Sequence, residues 1–221
     1  MCTNFLSPIK PNHQTRTVML EKAALRRQLR RQRMAITPSK RRLAQAQVVR
    51  LLKPLMRRGK NIGLYLASGS ELNISAILQD AATHGCHLHT PYIEPNQRRL
   101  WFTPYPAPSH HGHHMLNILQ YEGDKRRIER LDIVLMPLIG IDKRGMRLGQ
   151  GGGFYDTSLS FCREQQPLRI GIGFAAQQCE HIPNEAHDQA LDAYVCERGI
   201  TAFSARARAT LAPFLNKSHT G

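Results

Sequence analysis

The 221-residue sequence predicts a single-domain α/β fold of three layers, with a mostly parallel sheet between helices and basic helices at the N-terminus. Short apolar runs alternate along the chain with segments of helical periodicity, which is typical of strands that alternate with helices. The length suits one sizeable hydrophobic core, and the apolar fraction of 41% is ordinary for a globular protein. We find no internal repeat and no sign of a second domain.

The N-terminal part predicts a tail followed by two helices. Residues 1–18 show no hydrophobic period, and we predict that they form a disordered tail. A helix is predicted over residues 20–34. A second is predicted over about 38–57, because Thr37 and Pro38 provide a helix cap and a proline in the first turn.

Most of the positive charge lies in this region. From Arg16 to Lys60 there are fifteen Lys or Arg and one acid, Glu21, so the segment carries +14 of the formal net charge of +15. Such a segment can form a solvated helix face, or it can bind nucleic acid, anionic lipid or a phosphorylated small ligand.

The rest of the chain predicts alternating strands and helices. We predict strands at residues 61–66, 87–93, 99–105, 131–141, 169–174 and 193–196. We predict helices at residues 73–84 and 155–165. The run 131–141 is the most apolar, so we place it at the centre of the sheet. The domain would span residues 19–203, and residues 204–221 would form a C-terminal tail.

Composition argues against several classes of protein. The 5 cysteines are odd in number and have no zinc-binding spacing, so we interpret them as reduced thiols of a cytoplasmic protein. No apolar run reaches the roughly 20 residues that a membrane helix needs, and no secretory signal is evident. We expect a cytoplasmic monomer with no membrane partner.

The stretch RLGQGGGFYD, residues 147–156, is the strongest local motif. It follows the predicted central strand and precedes a helix, which places it at the sheet edge where ligands bind. Glycines allow the main chain to approach a phosphate and to direct N–H groups at it, and Arg147 adds a permanent cation. Asp156 could favour the helix dipole or hold a metal. The spacing fits neither a dinucleotide-binding loop nor a P-loop, so the residues alone predict a phosphate loop, with a simple tight turn as the alternative.

The run Gly145–Asp156 resembles the signature of the 5-formyltetrahydrofolate cyclo-ligase family, also called methenyltetrahydrofolate synthetases. Pro137 and Asp142 hold the places that precede it in the family pattern. Further segments that resemble the family occur in the expected order. These are Lys22–Arg26, Tyr65–Glu71, Gln177 and Ile182–Asp188. The resemblance covers about residues 20–200.

The resemblance implies an ATP-dependent ring closure that also requires Mg²⁺. 5-Formyltetrahydrofolate would become 5,10-methenyltetrahydrofolate, with release of ADP and phosphate. Transfer of the γ-phosphate to the formyl oxygen would turn that oxygen into a good leaving group. Such a transfer depends on positioning and charge neutralisation more than on a protein nucleophile.

The resemblance also implies roles for individual residues. Arg147 and Tyr155 would act in catalysis, Leu66 and Glu71 would contact the folate, and Asp156 and Asp188 would hold Mg²⁺. ATP would be bound by Lys22, Ala23, Ala24, Leu25, Arg26, Arg147, Leu148, Gly149, Gln150, Gly151, Gly152, Gly153, Phe154 and Tyr155. Without the resemblance, these positions have plainer interpretations as solvated charges, loop acids, helix packing and sheet core.

The sequence departs from the family pattern before the central strand. Residues 117–121 read NILQY, without the Glu and Pro that the family often has there. Ile141 and Phe154 replace a family Phe and Tyr. These changes affect the expected shape of one pocket wall and leave the phosphate and metal elements intact.

Two other functions are compatible with parts of the sequence. The basic N-terminal segment could bind nucleic acid, although no aromatic residues interleave with it and no reader motif is present. Another phosphate-handling enzyme, such as a sugar-phosphate isomerase, could use a similar sheet. A histidine cluster at positions 110, 111, 113 and 114 could bind a metal, but we predict a loop without fixed partners there.

Overall fold

The computed structural model describes residues 13–106, 112–115, 118–163 and 166–215. The helices are α1 (His13–Met34), α2 (Pro38–Leu52), α3 (Ala76–Thr83), α4 (Phe154–Leu159) and α5 (Ala205–Leu215). The strands are β1 (Asn61–Gly63), β2 (His87–Tyr92), β3 (Trp101–Tyr105), β4 (Gly112–Met115), β5 (Ile118–Tyr121), β6 (Arg126–Arg127), β7 (Ile133–Pro137), β8 (Gly140–Asp142), β9 (Arg147–Leu148), β10 (Leu168–Ile172), β11 (Gln178–Cys179), β12 (Ala193–Cys196) and β13 (Gly199–Ala202).

The main sheet has eight strands in the order β13-β12-β10-β7-β1-β2-β3-β6. The inner strands β12, β10, β7, β1 and β2 run parallel, and the outer strands β13, β3 and β6 pair antiparallel. Strand β7 lies between β1 and β10, so its predicted central place is confirmed. A small sheet, β11-β8-β9, and a hairpin, β4-β5, extend beyond the main sheet.

Helices cover both faces of this sheet. On β7, Ile133 and Leu135 belong to a core cluster shared with α2, α3 and α5. The alternate residues Val134 and Met136 belong to a second cluster that includes Leu159 of α4. This period of two sends successive side chains to opposite faces and confirms the predicted three layers.

The start of α2 agrees with the predicted cap. Thr37 Oγ1 accepts a hydrogen bond from the backbone N–H of Lys40 at 3.5 Å, and Pro38 occupies the first turn. The helix ends at Leu52 rather than near residue 57. Pro54 lies in the 3-10 turn that follows, because its ring cannot continue α-helical hydrogen bonding.

The two predicted tails are wrong where the structure describes them. Helix α1 begins at His13, so residues 13–18 are helical rather than disordered. Helix α5 occupies most of the predicted C-terminal tail, and its Ala207 and Leu211 are fully buried against the sheet. Residues 1–12 and 216–221 of the predicted tails lie outside the described residues. None of the described helices is long and apolar enough to cross a bilayer.

Candidate active site

The carboxyl ends of β1, β2 and β7 lead into a cavity of about 640 Å³. Helix α1 and the segment 185–188 close one side, and the β4-β5 hairpin closes another. The site residues that line it are Lys22, Arg26, Leu66, Glu71, Asp188 and the whole run Arg147–Asp156. The edge of a parallel sheet therefore gathers residues that are distant in sequence.

Helix α1 contributes two cations to the cavity. Lys22 is 7% exposed, and its Nζ donates to Asp188 Oδ2 at 2.6 Å and to Glu185 Oε2 at 3.1 Å. Arg26 Nε donates to the carbonyl oxygen of Gly149 at 2.8 Å. The two side chains are one helical turn apart, so a single helix face presents both. Residues 23–25 do not line the cavity, and Leu25 instead packs against a small apolar cluster.

The glycine loop needs its glycines for its shape. Gly151 and Gly153 have φ angles of +106° and +69°, which L side chains rarely adopt. A Cβ at Gly149 would lie 2.6 Å from Nη1 of Arg147, and a Cβ at Gly152 would lie 2.7 Å from the Phe154 ring. The loop therefore folds closely over its own side chains and keeps its main chain at the cavity surface.

Arg147 and Asp156 form an ion pair inside the cavity. Arg147 is 9% exposed, and its Nη2 donates to Asp156 Oδ2 at 2.9 Å. The other carboxylate oxygen of Asp156 accepts from the backbone N–H of Gln189 at 3.3 Å. This contact connects the start of α4 to the residue that follows Asp188.

Tyr155 lies beside this pair. Its ring centre is 5.4 Å from Cζ of Arg147. Its hydroxyl group is buried and has no hydrogen-bond partner among the described residues. Burial raises the pKa of this phenol well above its ordinary value of 10.0, although the Arg147 charge opposes the shift. The hydroxyl stays protonated and is therefore a hydrogen-bond donor rather than a base.

Glu71 also lines the cavity and contacts the glycine loop. Its Oε2 accepts from the backbone N–H of Ser68 at 3.0 Å, and its Oε1 accepts from Gln150 Nε2 at 3.2 Å. Gln150 Oε1 in turn accepts from Arg30 Nη2 at 2.6 Å. These contacts connect the glycine loop to the loop that carries Leu66 and Glu71.

The two proposed metal ligands share the cavity, but each already has a cationic partner. Asp156 pairs with Arg147, and Asp188 pairs with Lys22. Glu185, which we did not assign from the sequence, is a third carboxylate beside them. The described residues contain no group of three or more side chains preset to hold a metal ion. Carboxylate oxygens are nevertheless the donors that Mg²⁺ prefers, so the residue types fit this ion.

Asp142 and Gln177 act as scaffold. Asp142 is buried, and its carboxylate accepts from the backbone N–H groups of Ile182 and Met146, each at 3.1 Å. Burial opposes its ionisation, but these bonds and the Arg144 guanidinium hold its pKa below the ordinary 3.8. Gln177 Nε2 donates to the carbonyl oxygen of Leu138 at 2.6 Å. Both residues fix main chain on either side of the site.

The segment that departs from the family pattern forms the hairpin wall. Gln120 is fully buried. Its side-chain amide accepts from the backbone N–H of Ile93 at 2.9 Å and donates to the carbonyl oxygen of Ile93 at 3.2 Å. Its amide nitrogen is also 2.8 Å from His113 Nε2. Ile118 and Leu119 of the same strand line the cavity. Asn117, His110 and His111 lie outside the described residues.

Comparison with known proteins identifies the family to which this sequence is similar. The model of the 5-formyltetrahydrofolate cyclo-ligase family matches residues 18–197. A 5-formyltetrahydrofolate cyclo-ligase of Escherichia coli K12 is 28% identical over 173 residues, which cover 76% of this chain and 95% of the relative. A protein of the same name from Haemophilus influenzae is 29% identical over 136 residues, covering 60% and 73%.

Two solved structures share the fold. The 5,10-methenyltetrahydrofolate synthetase of Aquifex aeolicus has a TM-score of 0.70 at 24% identity, over 82% of this chain and 92% of its own. That of Mycoplasma pneumoniae has a TM-score of 0.66 at 22% identity, over 80% and 99%. These similarities support the architecture.

Proposed function

The chain belongs to the 5-formyltetrahydrofolate cyclo-ligase family, and on that basis we infer that it converts 5-formyltetrahydrofolate to 5,10-methenyltetrahydrofolate with ATP as co-substrate. One observation carries this inference to the site. A single cavity collects the glycine loop, the cations of α1 and the carboxylates of Glu71, Asp156, Glu185 and Asp188. Those groups are what a reaction between a folate and a nucleoside triphosphate requires.

We propose the following course of reaction. The formyl oxygen of the folate attacks the γ-phosphorus of ATP, and the bond from that phosphorus to ADP breaks. Nitrogen 10 then attacks the formyl carbon, and the carbon–oxygen bond breaks with departure of phosphate. Nitrogen 10 loses its proton, and the five-membered methenyl ring is formed. The protein mainly orients the two substrates and neutralises charge.

Lys22, Arg26 and Arg147 are the groups that we propose for the triphosphate. All three line the cavity next to the glycine loop. Guanidinium groups suit phosphate oxygens because they donate in a planar fork, and the loop can add main-chain N–H groups. On ATP binding, these cations would exchange their carboxylate or carbonyl partners for phosphate oxygens.

Asp156 and Asp188 are the residues that we propose to hold Mg²⁺. They offer hard oxygen donors in the same cavity as the phosphate-binding cations, and Glu185 lies beside Asp188. A bound Mg²⁺ would neutralise negative charge on the phosphates. The protein's part is to hold these carboxylates close to the triphosphate.

Glu71 and Leu66 are proposed to bind the folate. A carboxylate can accept two hydrogen bonds from the paired N–H groups of a pterin edge. Leu66, Ile93 and Ile118 supply apolar wall for the ring system. The Tyr155 hydroxyl lacks a partner within the described residues and is the donor that we propose for a substrate oxygen.

Direct assay of ring closure tests the proposal. Purified protein is mixed with 5-formyltetrahydrofolate, ATP and Mg²⁺, and the near-ultraviolet absorption of the methenyl product is followed. We expect turnover by the wild type and a loss of about a hundredfold or more in Lys22→Met, because its buried cation is removed from the phosphate site. Arg27→Met is the matched control, since Arg27 is exposed on the same helix. Wild-type protein without product formation would contradict the function, and equal rates in the two variants would contradict the role of Lys22.

We also propose that the chain acts as a cytoplasmic monomer without nucleic-acid or membrane partners. The family uses small-molecule substrates, and the proposed site lies within one chain. Sedimentation at several protein concentrations tests the oligomeric state.

A further inference from the structure

The loop that carries Leu66 and Glu71 has no regular structure of its own. Residues 64–75 between β1 and α3 contain no strand or helix. The Glu71 carboxylate has one partner within this loop, the backbone N–H of Ser68, and its position also depends on contacts from other parts of the chain. Two arginines from the N-terminal helices supply such contacts, and both reach Ser70.

Arg33 reaches this loop from the end of α1. Its Nε donates to Ser70 Oγ at 2.9 Å, and its Nη1 donates to the carbonyl oxygen of Leu138 at 3.3 Å. The residue is only 5% exposed. Leu138 directly follows β7, so Arg33 connects the loop that carries Glu71 to the end of β7.

Arg41 reaches the same point from the first turn of α2. Its Nη1 donates to the carbonyl oxygen of Ser70 at 2.7 Å, and its Nη2 donates to the carbonyl oxygen of Arg33 at 2.8 Å. The guanidinium Cζ lies 4.8 Å from the centre of the Phe174 ring, just beyond β10. The guanidinium therefore contacts an aromatic face and two carbonyl groups.

These hydrogen bonds go to neutral oxygens, which distinguishes them from ordinary stabilising ion pairs. Arg33 is buried and Arg41 is half-buried. Removing a guanidinium from water against neutral partners costs free energy, so stability alone is a weak reason for these two residues. Burial lowers the pKa of Arg33 from its ordinary value, and the nearby charge of Glu71 opposes that shift. The Glu71 carboxylate thus lies within the electrostatic reach of Arg33.

We propose that Arg33 and Arg41 are positioning residues that hold Ser70, and through it the adjacent Glu71 carboxylate, at the folate end of the cavity. This inference rests on the proposed role of Glu71 in binding the folate. The two arginines do not touch the substrate. They fix the main chain on which the folate-binding carboxylate is mounted, and they tie it to the ends of β7 and β10.

A double-mutant cycle with Glu71 tests the inference. The variants are Arg41→Ala, Glu71→Gln and the double variant, and the readouts are KM for folate, KM for ATP and kcat. Arg42→Ala is the matched control, because Arg42 is an exposed arginine next in the same helix. Thermal unfolding of each variant establishes that it is folded under the assay conditions.

We expect Arg41→Ala to raise the KM for folate roughly ten- to a hundredfold, as for a lost hydrogen bond to a charged group. The KM for ATP should stay within about twofold, and Arg42→Ala should match the wild type. Because Arg41 acts through Glu71, the Arg41 substitution should add little in the Glu71→Gln background. Arg41→Lys should recover part of the affinity, since an ammonium group can still reach one carbonyl group.

The outcomes separate this inference from the function on which it rests. A Glu71→Gln variant with unchanged folate KM would remove the proposed role of Glu71, and the positioning role with it. If Glu71→Gln weakens folate binding while Arg41→Ala does not, only the positioning role is overturned. Equal weakening of folate and ATP binding, or full additivity with Glu71→Gln, would also overturn it. Should Arg41→Ala fail to fold, Ser70→Ala removes the hydroxyl acceptor of Arg33 and should raise the folate KM selectively.

Discussion

Replacement of Asp156 by Asn separates the electrostatic role of this carboxylate from its structural role. The amide keeps an oxygen that can accept from Nη2 of Arg147 but removes the negative charge. Breaking a fully buried ion pair costs ~3–5 kcal/mol. The Asp156 side chain is 17% exposed and Asn retains the hydrogen bond, so we expect a loss of about 1–2 kcal/mol. For a chain of this size, that loss lowers Tm by roughly 2–8 °C.

Turnover should fall much further than stability. If Asp156 holds the Mg²⁺ that neutralises the transferring phosphate, kcat should decrease about a hundredfold or more, with partial recovery at high Mg²⁺. Methenyl product formation and thermal unfolding are measured on the same preparations. The matched control is Asp124→Asn, an exposed acid outside the cavity, which should change neither quantity. Wild-type turnover by Asp156→Asn at ordinary Mg²⁺ would refute the metal assignment, whatever the change in Tm.

Three further substitutions test other parts of the structure. Tyr155→Phe should leave Tm unchanged or slightly raised, because its buried hydroxyl has no partner among the described residues, yet lower kcat about tenfold if that hydroxyl binds substrate. Hydrogen bonds from Arg206 and the main chain outweigh burial and hold the Asp192 pKa below 3.8, so wild-type stability should decline as pH falls below about 4, and Asp192→Asn should flatten that decline in acid unfolding curves. Leu211→Ala should lower Tm by roughly 4–20 °C, because it opens a cavity under α5, whereas Leu43→Ala at an exposed position should not.

Strands could be predicted from the sequence where their own residues are apolar enough to indicate burial. The run that contains β7 is buried on both faces, and β12 matches the predicted residues 193–196. The hairpin β4-β5, the two-residue strands β6, β9 and β11, and the last strand β13 were missed. Strands β6 and β11 pair with β3 and β8, which are distant in sequence, so local periodicity does not reveal them.

The C-terminal helix shows a different reason for failure. Helix α5 contains Pro213 and two arginines, Arg206 and Arg208, which weaken its apolar pattern in the sequence. Its burial comes from Ala207 and Leu211, one helical turn apart, which pack against a sheet face that no local pattern reveals. Tertiary packing therefore overrides weak local preference at this end of the chain.

The same distinction between local pattern and distant contact applies to the candidate site. The glycine loop could be placed at the sheet edge because its residues are contiguous and follow an unmistakable strand. The ion pairs between α1 and residues 185–188 could not be predicted, because they join residues far apart in sequence. Lys22 and Asp188 are separated by 166 positions, and only the folded sheet edge brings them to 2.6 Å. We did not assign Glu185 from the sequence, although it lies in the segment that carries Asp188, because its contact with Lys22 also joins distant residues.

The charge arrangement of the cavity suits a ligand that carries positive and negative charge together. Lys22 and Arg147 are each neutralised by a carboxylate, so neither cation is left unpaired when the cavity holds no nucleotide. A triphosphate alone would draw the cations away and leave Asp156 and Asp188 unpaired in a partly desolvated site, which is costly. A divalent cation alone would bind the carboxylates and leave Lys22 and Arg147 without negatively charged partners. A complex of Mg²⁺ with ATP supplies a partner for each set, so Lys22, Arg147, Asp156 and Asp188 would each keep a partner of opposite charge. On the proposed function, this balance explains why the phosphate-binding cations and the metal-binding carboxylates are paired with each other rather than kept apart.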